Sequence, residues 1–515
     1  MLFNSFNFLF LFLPLVAMGF FAIARRSHVW AAGWLAAASL IFYGWWSPEY
    51  IPLLLASIVS NYALGWRIGH SSGPVRKRWL VLGLVANLAL LAYFKYADFF
   101  LHSVNTITAA QWPLLGVILP VGISFFTFTQ IAFLVDTYQG KVTEYRFAHY
   151  LLFVTYFPHL IAGPVLHHRE MMPQFDDDAT YRASAENFAV GLTIFAIGLA
   201  KKVLIADNLA PHAEFFFDNN DTPSLLVAWG GVLAYAFQLY FDFSGYSDMA
   251  IGLSRLFGIR LPLNFHSPYK ADSMIEFWRR WHMTLSRFLR DYLYIALGGN
   301  RHGPLRRYLN LGATMLLGGL WHGAGWNFVI WGALHGAYLM INHGWAALAR
   351  KAGWSTAGAK WKVAGVLLTF IAVCFAWVFF RATDLPRALT IIAGMLGAHG
   401  VALPDGVGNQ LGSLKLLAER YGVTFYLGGG ARFVQTYGWV ALAFAIAMLA
   451  PNTQQIMHRF KPALDYDPQR DPDRTAKPGK LLWRPNGAWA LFLALITVLS
   501  MLSLTRPAEF LYFQF

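Results

Sequence analysis

Charged residues are scarce in this chain of 515 residues, since Asp, Glu, Lys and Arg together make up only 13% of it. Soluble domains usually carry about 25% charged residues, so about half of the usual charge is missing. Apolar residues make up 57% of the sequence, and long apolar runs alternate with short basic connectors. A helix needs about 20 apolar residues to cross roughly 30 Å of hydrocarbon, and many runs approach that length. The composition therefore excludes an ordinary soluble enzyme and predicts an all-α polytopic membrane protein in a lipid bilayer.

Cysteine and metal-binding motifs are scarce as well. The single cysteine, Cys374, lies within an apolar run, so neither a disulfide framework nor a cysteine metal cluster is expected. The chain lacks an HExxH motif, and His335 and His343 stand eight residues apart, not the four that place two ligands on one helix face. We therefore expect no metal site and no catalytic zinc.

The apolar segments follow one another along the whole chain without an internal repeat of fixed period. They predict about 11–13 transmembrane helices, with re-entrant and amphipathic helices between them. We therefore expect a single membrane domain over residues 1–515, whose larger extramembrane loops lie at 400–435 and 452–486. A short tail at 506–515 follows the last span.

One apolar segment, at 149–166, differs from a simple span because both of its flanks are basic. It also contains Pro158, Gly163 and Pro164, which interrupt a helix. We interpret it as a re-entrant element that enters and leaves on the cytoplasmic side. Irregular backbone is tolerated at membrane depth only where protein or a water-filled cavity surrounds it, so this segment predicts a buried cavity.

The net charge of +14 arises mainly from basic residues in the short loops between apolar runs. Nucleic-acid binding is one explanation of such a charge, but the positive-inside rule explains this distribution directly, so no nucleic-acid partner is expected. The segment 255–310 is the richest in charge and strongly basic, which predicts a cytoplasmic-side location. The same rule predicts that the tail at 506–515 lies outside.

A first candidate histidine, His282, lies in the sequence SMIEFWRRWHMTLSRFLRDYLY. Ser273 and Glu276 have the spacing of a capping box and predict that a helix begins there. His282 then shares one face of a continuous amphipathic helix with Trp278 and Leu285. An imidazole on such a face is either a core histidine bonded to a neighbour or a functional group.

A second candidate, His322, lies in TMLLGGLWHGAGWNF, where an apolar run meets a glycine-rich break. An ionisable residue at membrane depth is costly and suggests a functional site. The surrounding glycines, which include Gly319 and Gly323, would let a substrate or another helix approach closely. The alternative is a tightly packed turn in which the histidine only bonds locally.

Two carboxylates, Asp242 and Asp248, interrupt the apolar sequence QLYFDFSGYSDMAIG. They could relay protons in a transporter, or they could orient a broken helix and nearby basic residues. We favour the structural role.

Three long motifs carry a resemblance to a known family. QLYFDFSGYSDMAIG is followed by EFWRRWHMTLSRFLRDYLYI with LGGNR, and then by LLGGLWHG. In order and spacing they resemble the membrane-bound O-acyltransferase family, and most of all a bacterial branch that includes the membrane subunits of alginate O-acetylation and teichoic-acid D-alanylation. The resemblance extends over most of the chain, including FPHLIAGPV at 157–165 and the final FLYFQF.

The resemblance implies a central tunnel that joins a cytoplasmic acyl donor to an acceptor at the outer face of the bacterial inner membrane. It implies that His322 is the family's catalytic histidine, acting as general base, and that His282 orients the donor or polarises its carbonyl. The implied donor is acetyl-CoA, a substrate that is not bound permanently, and the implied product is an O-acetylated exported polysaccharide such as alginate or cellulose. A periplasmic acetyltransferase partner protein would complete that modification. The phosphates of acetyl-CoA would suit a cluster of basic residues, Arg279, Arg280, Arg287, Arg290 and Arg301.

Two other functions stay open at this point. A transporter of lipid-linked sugar would explain the buried carboxylates, but not the two histidine motifs with their arginines. A lipid or protein O-acyltransferase of the same family would use a long acyl chain in place of acetate.

The tail supplies a third candidate, Tyr512, within the almost wholly apolar FLYFQF. Its aromatic residues could simply settle at the membrane interface. A similar motif around a tyrosine ends a small partner protein in the D-alanylation system, where the hydroxyl is thought to carry the acyl group. By that resemblance Tyr512 is an acyl relay.

Overall fold

The computed structural model describes residues 1–142, 146–160, 163–219, 221–355, 358–469, 471, 473, 481–504 and 511. Apart from one pair of short strands, the regular structure within these ranges is helical. The all-α class expected from the composition is therefore confirmed.

The first part of the chain forms six α-helices that are mostly apolar. π-Helical turns at Asn7–Phe12 and Ala92–Tyr96 extend the first of them and join the fourth to the fifth. The six are α1 (Leu13–Ala24), α2 (His28–Gly44), α3 (Ile51–Gly69), α4 (Gly73–Leu91), α5 (Ala97–Thr108) and α6 (Ile123–Tyr138).

The middle of the chain contains shorter helices around one that is much longer. A π-helical segment at Lys201–Ala206 joins two of them, and another at Leu289–Tyr294 follows the last. They are α7 (Phe147–Thr155), α8 (Phe157–Leu160), α9 (His168–Phe175), α10 (Ala185–Ala200), α11 (Asp207–Asp218), α12 (Leu225–Leu256), α13 (Met274–Arg280) and α14 (Met283–Phe288).

The last part begins with a helical hairpin and ends with a single apolar helix. Two strands, β1 (Val401–Pro404) and β2 (Val423–Tyr426), pair in parallel. The helices are α15 (Gly303–His322), α16 (Trp326–Lys351), α17 (Ala359–Arg381), α18 (Leu385–Met395), α19 (Asp405–Gln410), α20 (Ser413–Arg420), α21 (Gly430–Leu449), α22 (Thr453–Ile456) and α23 (Gly487–Ser503).

Seven helical stretches among the described residues are long and apolar enough to cross a membrane, judged by length and composition. The apolar helices α18 and α23 are shorter. The chain is therefore a multi-pass membrane protein, while a total of 11–13 spans stays a prediction. The seven are Asn7–Ala24, Pro48–Gly69, Gly73–Thr108, Ala185–Asp218, Leu225–Leu256, Ala359–Arg381 and Gly430–Leu449.

The longest helix, α12, lies at the centre of the protein. All of its residues from Ala234 to Leu256 are buried, because neighbouring segments cover every face. A helix that is apolar and buried all round belongs in the middle of a bundle. With 32 residues and a rise of about 1.5 Å per residue, α12 is about 48 Å long, which is more than the roughly 30 Å of a hydrocarbon core.

Glycine pairs bring α10 close to α12. A Cβ atom at Gly245 would lie 2.7 Å from the carbonyl oxygen of Gly198, and one at Gly252 would lie 2.6 Å from that of Gly191. Both distances are too short for a real Cβ, so the two backbones can touch only because these positions have no side chain. Small residues at helix crossings are typical of membrane proteins.

The segment interpreted as re-entrant is broken and buried. Helices α7 and α8 are separated by Tyr156, and the described residues from Leu152 to Leu160 are buried. Val165 then donates its backbone N–H to Thr284 Oγ1 at 2.9 Å. The surrounding protein thus shields the irregular backbone, as the proline and glycine residues predict, while entry and exit on one side of the membrane stay a prediction.

The segment 400–435 is more ordered than the loop expected there. It contains β1, α19, α20 and β2 before α21 begins. Leu225 donates its backbone N–H to the carbonyl oxygen of Gly400 at 3.0 Å, so this small substructure lies against the start of α12.

Candidate active site

His282 does not lie on a continuous helix, and that expectation is wrong. Helix α13 ends at Arg280, and His282 has the left-handed backbone angles φ 42° and ψ 53° before α14 begins. The segment 264–266 runs beside this break and explains it. The backbone N–H of His266 donates to the carbonyl oxygen of Arg280, and the N–H of Met283 donates to that of Asn264, both at 2.9 Å. A non-glycine residue in this region is strained, and the two backbone bonds on either side of His282 hold it there. The predicted helix start is confirmed, since the Ser273 side chain caps α13.

Asn264 holds the His282 ring. His282 Nδ1 lies 3.0 Å from Asn264 Oδ1, which also accepts bonds from Thr284 Oγ1 at 3.0 Å and the Thr284 N–H at 3.4 Å. The amide nitrogen of Asn264 donates to Ser247 Oγ on α12 at 3.3 Å. Because the amide oxygen only accepts, Nδ1 carries the proton and the lone pair of the imidazole is on Nε2. Asn264 gave no signal in the sequence, since nothing in its local pattern relates it to a residue eighteen positions away.

His322 ends α15 and lies among aromatic rings. Its ring centroid lies 5.0 Å from that of Trp331, 5.3 Å from that of Phe380 and 6.4 Å from that of His282. The glycine-rich break packs α15 against α16, since a Cβ atom at Gly319 would lie 2.3 Å from the carbonyl oxygen of Phe328. The structure therefore brings the two predicted histidines together in a buried, largely aromatic environment.

Lys95 and Tyr96 cap the end of α15 that carries His322. Lys95 Nζ lies 2.5 Å from the carbonyl oxygen of Trp321 and 3.2 Å from that of His322, while Tyr96 Oη donates to the carbonyl oxygen of Leu320 at 2.8 Å. The last carbonyls of a helix lack partners within the helix, and a cation there also complements the helix dipole. Sequence reasoning missed Lys95, although a lysine within the apolar run ALLAYFKYADFF was a visible signal.

A cavity of about 620 Å³ is lined in part by residues next to His282 in the chain. Met283 and Thr284, the two residues that follow His282, line one part of it. Leu263 is also part of the wall, and the next residue, Asn264, bonds Ser247 on α12 at 3.3 Å. Four arginines line it, Arg279, Arg287, Arg290 and Arg307. We call this space the arginine cavity.

Three of the five arginines expected at a donor site thus line one cavity, and two do not. Arg280 is buried, and its guanidinium bonds Glu276 at 2.9 Å and both carboxylate oxygens of Asp473 at 2.9 and 3.0 Å. A phosphate would have to displace two carboxylates to reach it. Arg301 is exposed and is not among the described residues of the cavity wall.

The buried carboxylates of α12 are paired with lysines of the π-helical segment after α10. Asp248 accepts from Lys201 Nζ at 2.6 Å and from Thr453 Oγ1 at 2.6 Å. Asp242 lies 2.6 Å from Lys202 Nζ. These contacts join separate segments of the fold and favour the structural role over a proton relay.

Tyr512, the candidate acyl relay, lies outside the described residues. The residue before it, Leu511, is described and is buried, with 4% of its surface exposed. Its backbone N–H donates to Asp242 Oδ2 at 3.1 Å. A residue of the tail therefore reaches the interior of the protein.

A second cavity, of about 730 Å³, lies at the start of α12. Ser224, Leu226 and Gly230 at the start of that helix line it. Tyr426 of β2 and Arg432 of α21 are also part of the wall. The two cavities share no described lining residue. Phe243, near the middle of this helix, lies 4.8 Å from the His282 ring between centroids, so His282 lies beside the middle of α12.

One cluster of possible metal ligands occurs among the described residues, formed by His266, Asp471 and Asp473. Burial alone would raise the pKa of Asp471, but the hydrogen bond and the charge of His266 hold it well below its usual range. Asp471 also accepts from Tyr466 and Gln455. These side-chain partners explain the cluster as a polar network that ties the 452–486 segment to the chain before His282.

Comparisons with known proteins agree with the resemblance seen in the motifs. The chain is 47% identical over 431 residues to the peptidoglycan O-acetyltransferase of Helicobacter pylori, across 78% of this chain and 81% of that protein. It is 41% identical over 526 residues to a probable alginate O-acetylase of Azotobacter vinelandii, across 100% of both chains. A teichoic acid D-alanyltransferase of Streptococcus thermophilus is 28% identical over 280 residues, across 50% of this chain and 68% of that protein.

The matching family model extends over residues 46–383 and describes the membrane-bound O-acyltransferases. That range contains Lys95, His282 and His322. The chain is therefore an acyltransferase and belongs to the membrane-bound O-acyltransferase family.

Proposed function

We propose that this enzyme takes an acetyl group from acetyl-CoA at the cytoplasmic face of a bacterial inner membrane and passes it across for O-acetylation of an exported polysaccharide. The names of the two more similar relatives, which refer to alginate and to peptidoglycan, support acetate and a polysaccharide. One observation carries the proposal: the wall of the arginine cavity includes Met283 and Thr284, the two residues that follow His282 in the chain. A donor bound there has its anionic part at the arginines and its reactive part near the histidines.

Arg279 and Arg290 are the arginines best suited to the phosphates of the donor. Their side chains are 72% and 62% exposed, and each pairs with a carboxylate close to it in the chain, Glu276 and Asp291 respectively. Exposed pairs of this kind contribute little to stability, so a phosphate can replace the carboxylate at small cost. Arg287 is less available because it bonds Glu170 at 2.8 Å.

His322 acts as the general base in this proposal. A hydroxyl attacks the thioester carbonyl carbon, the C–S bond breaks, and the imidazole takes the hydroxyl proton and returns it to the departing thiolate of CoA. His282 has its lone pair on Nε2, because Nδ1–H is held by Asn264. This tautomer suits a group that accepts a hydrogen bond and orients a reactant, and it is unsuited to polarising a carbonyl by donation. Of the two roles implied for His282, we therefore retain orientation.

Tyr512 is the proposed hydroxyl. Its phenol oxygen forms an ester with the acetyl carbon as CoA leaves, and a hydroxyl of the acceptor later attacks that ester and releases the phenol. A phenol with a pKa near 10 requires a base to be a useful nucleophile at neutral pH. The burial of Leu511 beside Asp242 supports a tail that enters the protein.

The acceptor side of the proposed path is the second cavity. It lies at the start of α12 and combines aromatic residues with Arg432. We propose that a periplasmic acetyltransferase partner receives the acetyl group on this side and transfers it to the polymer.

Purified enzyme in lipid nanodiscs would test the donor. Acetyl-CoA should release free CoA thiol in a reaction that requires His322, and palmitoyl-CoA should release far less. Equal or faster turnover of palmitoyl-CoA would identify a lipid or protein acyltransferase instead. Absence of thiol release with either donor would refute a CoA thioester as the acyl donor.

Cysteine labelling in cells would test the orientation. A cysteine at Asn219, near the second cavity, should react with a membrane-impermeant maleimide in intact cells. A cysteine at Gln469 should react only after permeabilisation. The reverse pattern would place the arginine cavity on the wrong side for cytoplasmic acetyl-CoA and would refute the proposed direction.

A further inference from the structure

The carboxylate of Asp242 joins three separate parts of the chain inside the protein. One oxygen lies 2.6 Å from Lys202 Nζ, and the other accepts the backbone N–H of Leu511 at 3.1 Å. Asp242, Lys202 and Leu511 are exposed by only 1%, 2% and 4%. A buried carboxylate is tolerated where it is paired and hydrogen-bonded, and here the tail supplies one of those bonds.

Lys202 keeps the site charged. Its ammonium also bonds Asp207 Oδ1 at 2.7 Å, so two carboxylates share one buried cation. The charge on Asp242 strengthens its bond to the Leu511 N–H, because a bond to an ionised acceptor is about twice as strong as one between neutral groups. The contact uses a backbone atom, so it holds the position of the segment whatever side chain residue 511 carries.

The site lies at the level of the two histidines. Asp242 is followed by Phe243, whose ring centroid lies 4.8 Å from that of His282. The tail residue bonded to Asp242 is therefore within one helix turn of the active site along α12. We propose that Asp242, held by Lys202, is a positioning residue that seats the tail inside the membrane domain at the level of the histidines. The inference rests on the proposed function only for the acetyl group that Tyr512 of the tail would carry.

Asp248 provides a matched comparison. It lies on the same helix, is buried, and pairs with the adjacent lysine, Lys201, at 2.6 Å. Its other described partners are Thr453 and Gln454, and neither belongs to the tail. Removal of either carboxylate breaks a buried ion pair on α12. Only the removal of Asp242 also breaks the bond to Leu511.

The test measures the reactivity of a cysteine at position 511 toward N-ethylmaleimide in detergent-solubilised enzyme. Leu511→Cys alone should react slowly because the position is buried. Adding Asp242→Ala should raise the labelling rate at least tenfold, adding Asp248→Ala should change it less than twofold, and Asp242→Asn should lie between them. Equal labelling rates with Asp242→Ala and Asp248→Ala, or rapid labelling of Leu511→Cys alone, would overturn the proposed role of Asp242.

An internal control reports folding in the same sample. Cys374 is fully buried, so it should stay unlabelled in every folded variant, and mass spectrometry of the two cysteine peptides separates tail release from unfolding. If Cys374 becomes labelled in the Asp242→Ala variant as well, the Asp242→Asn variant decides the question. A labelling rate of position 511 in that variant equal to the rate with Leu511→Cys alone would refute the proposal. Acetyl-CoA turnover distinguishes the two hypotheses: a released tail with normal turnover would leave the seat standing and refute the relay by Tyr512.

Discussion

The imidazole rings of His282 and His322 lie 6.4 Å apart between centroids, and both are buried. The position of each ring is held by different contacts. His282 is directed by a left-handed break and by Asn264, while His322 ends a helix whose last carbonyls are capped by Lys95 and Tyr96. At this separation the two imidazoles can act on one reacting group, provided that these contacts keep their geometry.

Replacement of the proposed base should remove activity without unfolding the protein. We expect His322→Ala to lower the rate of CoA release by about 10²–10⁴, the usual contribution of a general base, and His282→Ala to be less severe. His70→Ala is the control, because His70 is exposed. A His322→Ala enzyme with the parental rate would contradict the assignment.

Asn264 should matter only through His282. Asn264→Ala removes the acceptor for His282 Nδ1, so we expect kcat to fall about tenfold or more, as for other groups that orient a catalytic histidine. The double variant Asn264→Ala/His282→Ala should be no slower than His282→Ala alone, because coupled residues are not additive. Additive losses in this double-mutant cycle would show that Asn264 acts independently.

Lys95 should support the position of His322. Lys95→Met keeps much of the side-chain volume but leaves the carbonyl groups of Trp321 and His322 without the ammonium, and an unsatisfied buried polar group costs about 1–3 kcal/mol. We expect a lower thermal midpoint and a lower kcat, with KM for acetyl-CoA nearly unchanged. Lys77→Met, which replaces an exposed lysine, controls for loss of charge. A change in KM alone would assign Lys95 to donor binding.

The arginine cavity should govern affinity for the donor and not the chemical step. Arg279→Ala and Arg290→Ala should each raise KM for acetyl-CoA by about threefold to tenfold at low salt, with less effect at high salt, because exposed charges are screened. Arg306→Ala is the control, since this nearby arginine is exposed and outside the described wall of the cavity. A KM that does not change in either cavity variant would place the donor elsewhere.

Polymer acetylation should require the hydroxyl of Tyr512 and not its ring. Tyr512→Phe keeps the ring and deletes the proposed nucleophile, so polymer acetylation should be lost while expression and membrane insertion remain. Gentle hydrolysis of the parent enzyme after reaction with labelled acetyl-CoA should release acetate from the peptide that contains Tyr512. Full polymer acetylation by Tyr512→Phe would leave the tail as an anchor.

Local sequence was sufficient for the class of the protein and for selecting the two histidines that the fold brings together. Low charge and repeated apolar runs require helices in a membrane, because lipid offers no partners for an open backbone. The capped start of α13 and the glycine-rich break after His322 are also local features, since a side-chain cap and a close helix approach depend on residues near in the chain. Lys95 was visible as a lone cation in an apolar run, although its role was not.

The arrangement of the site depends on contacts between distant segments, and only the tertiary structure decided it. Periodicity predicted a continuous helix through His282, but backbone groups of Asn264 and His266 compete for the hydrogen bonds that such a helix would make. A cluster of five arginines in the sequence became three in the cavity wall, because Glu276 and Asp473 bind Arg280 and Arg301 lies apart. The bond from Leu511 to Asp242 joins residues from two distant parts of the chain. Sequence alone specifies which groups are costly to bury, and the packed fold determines which partners satisfy them.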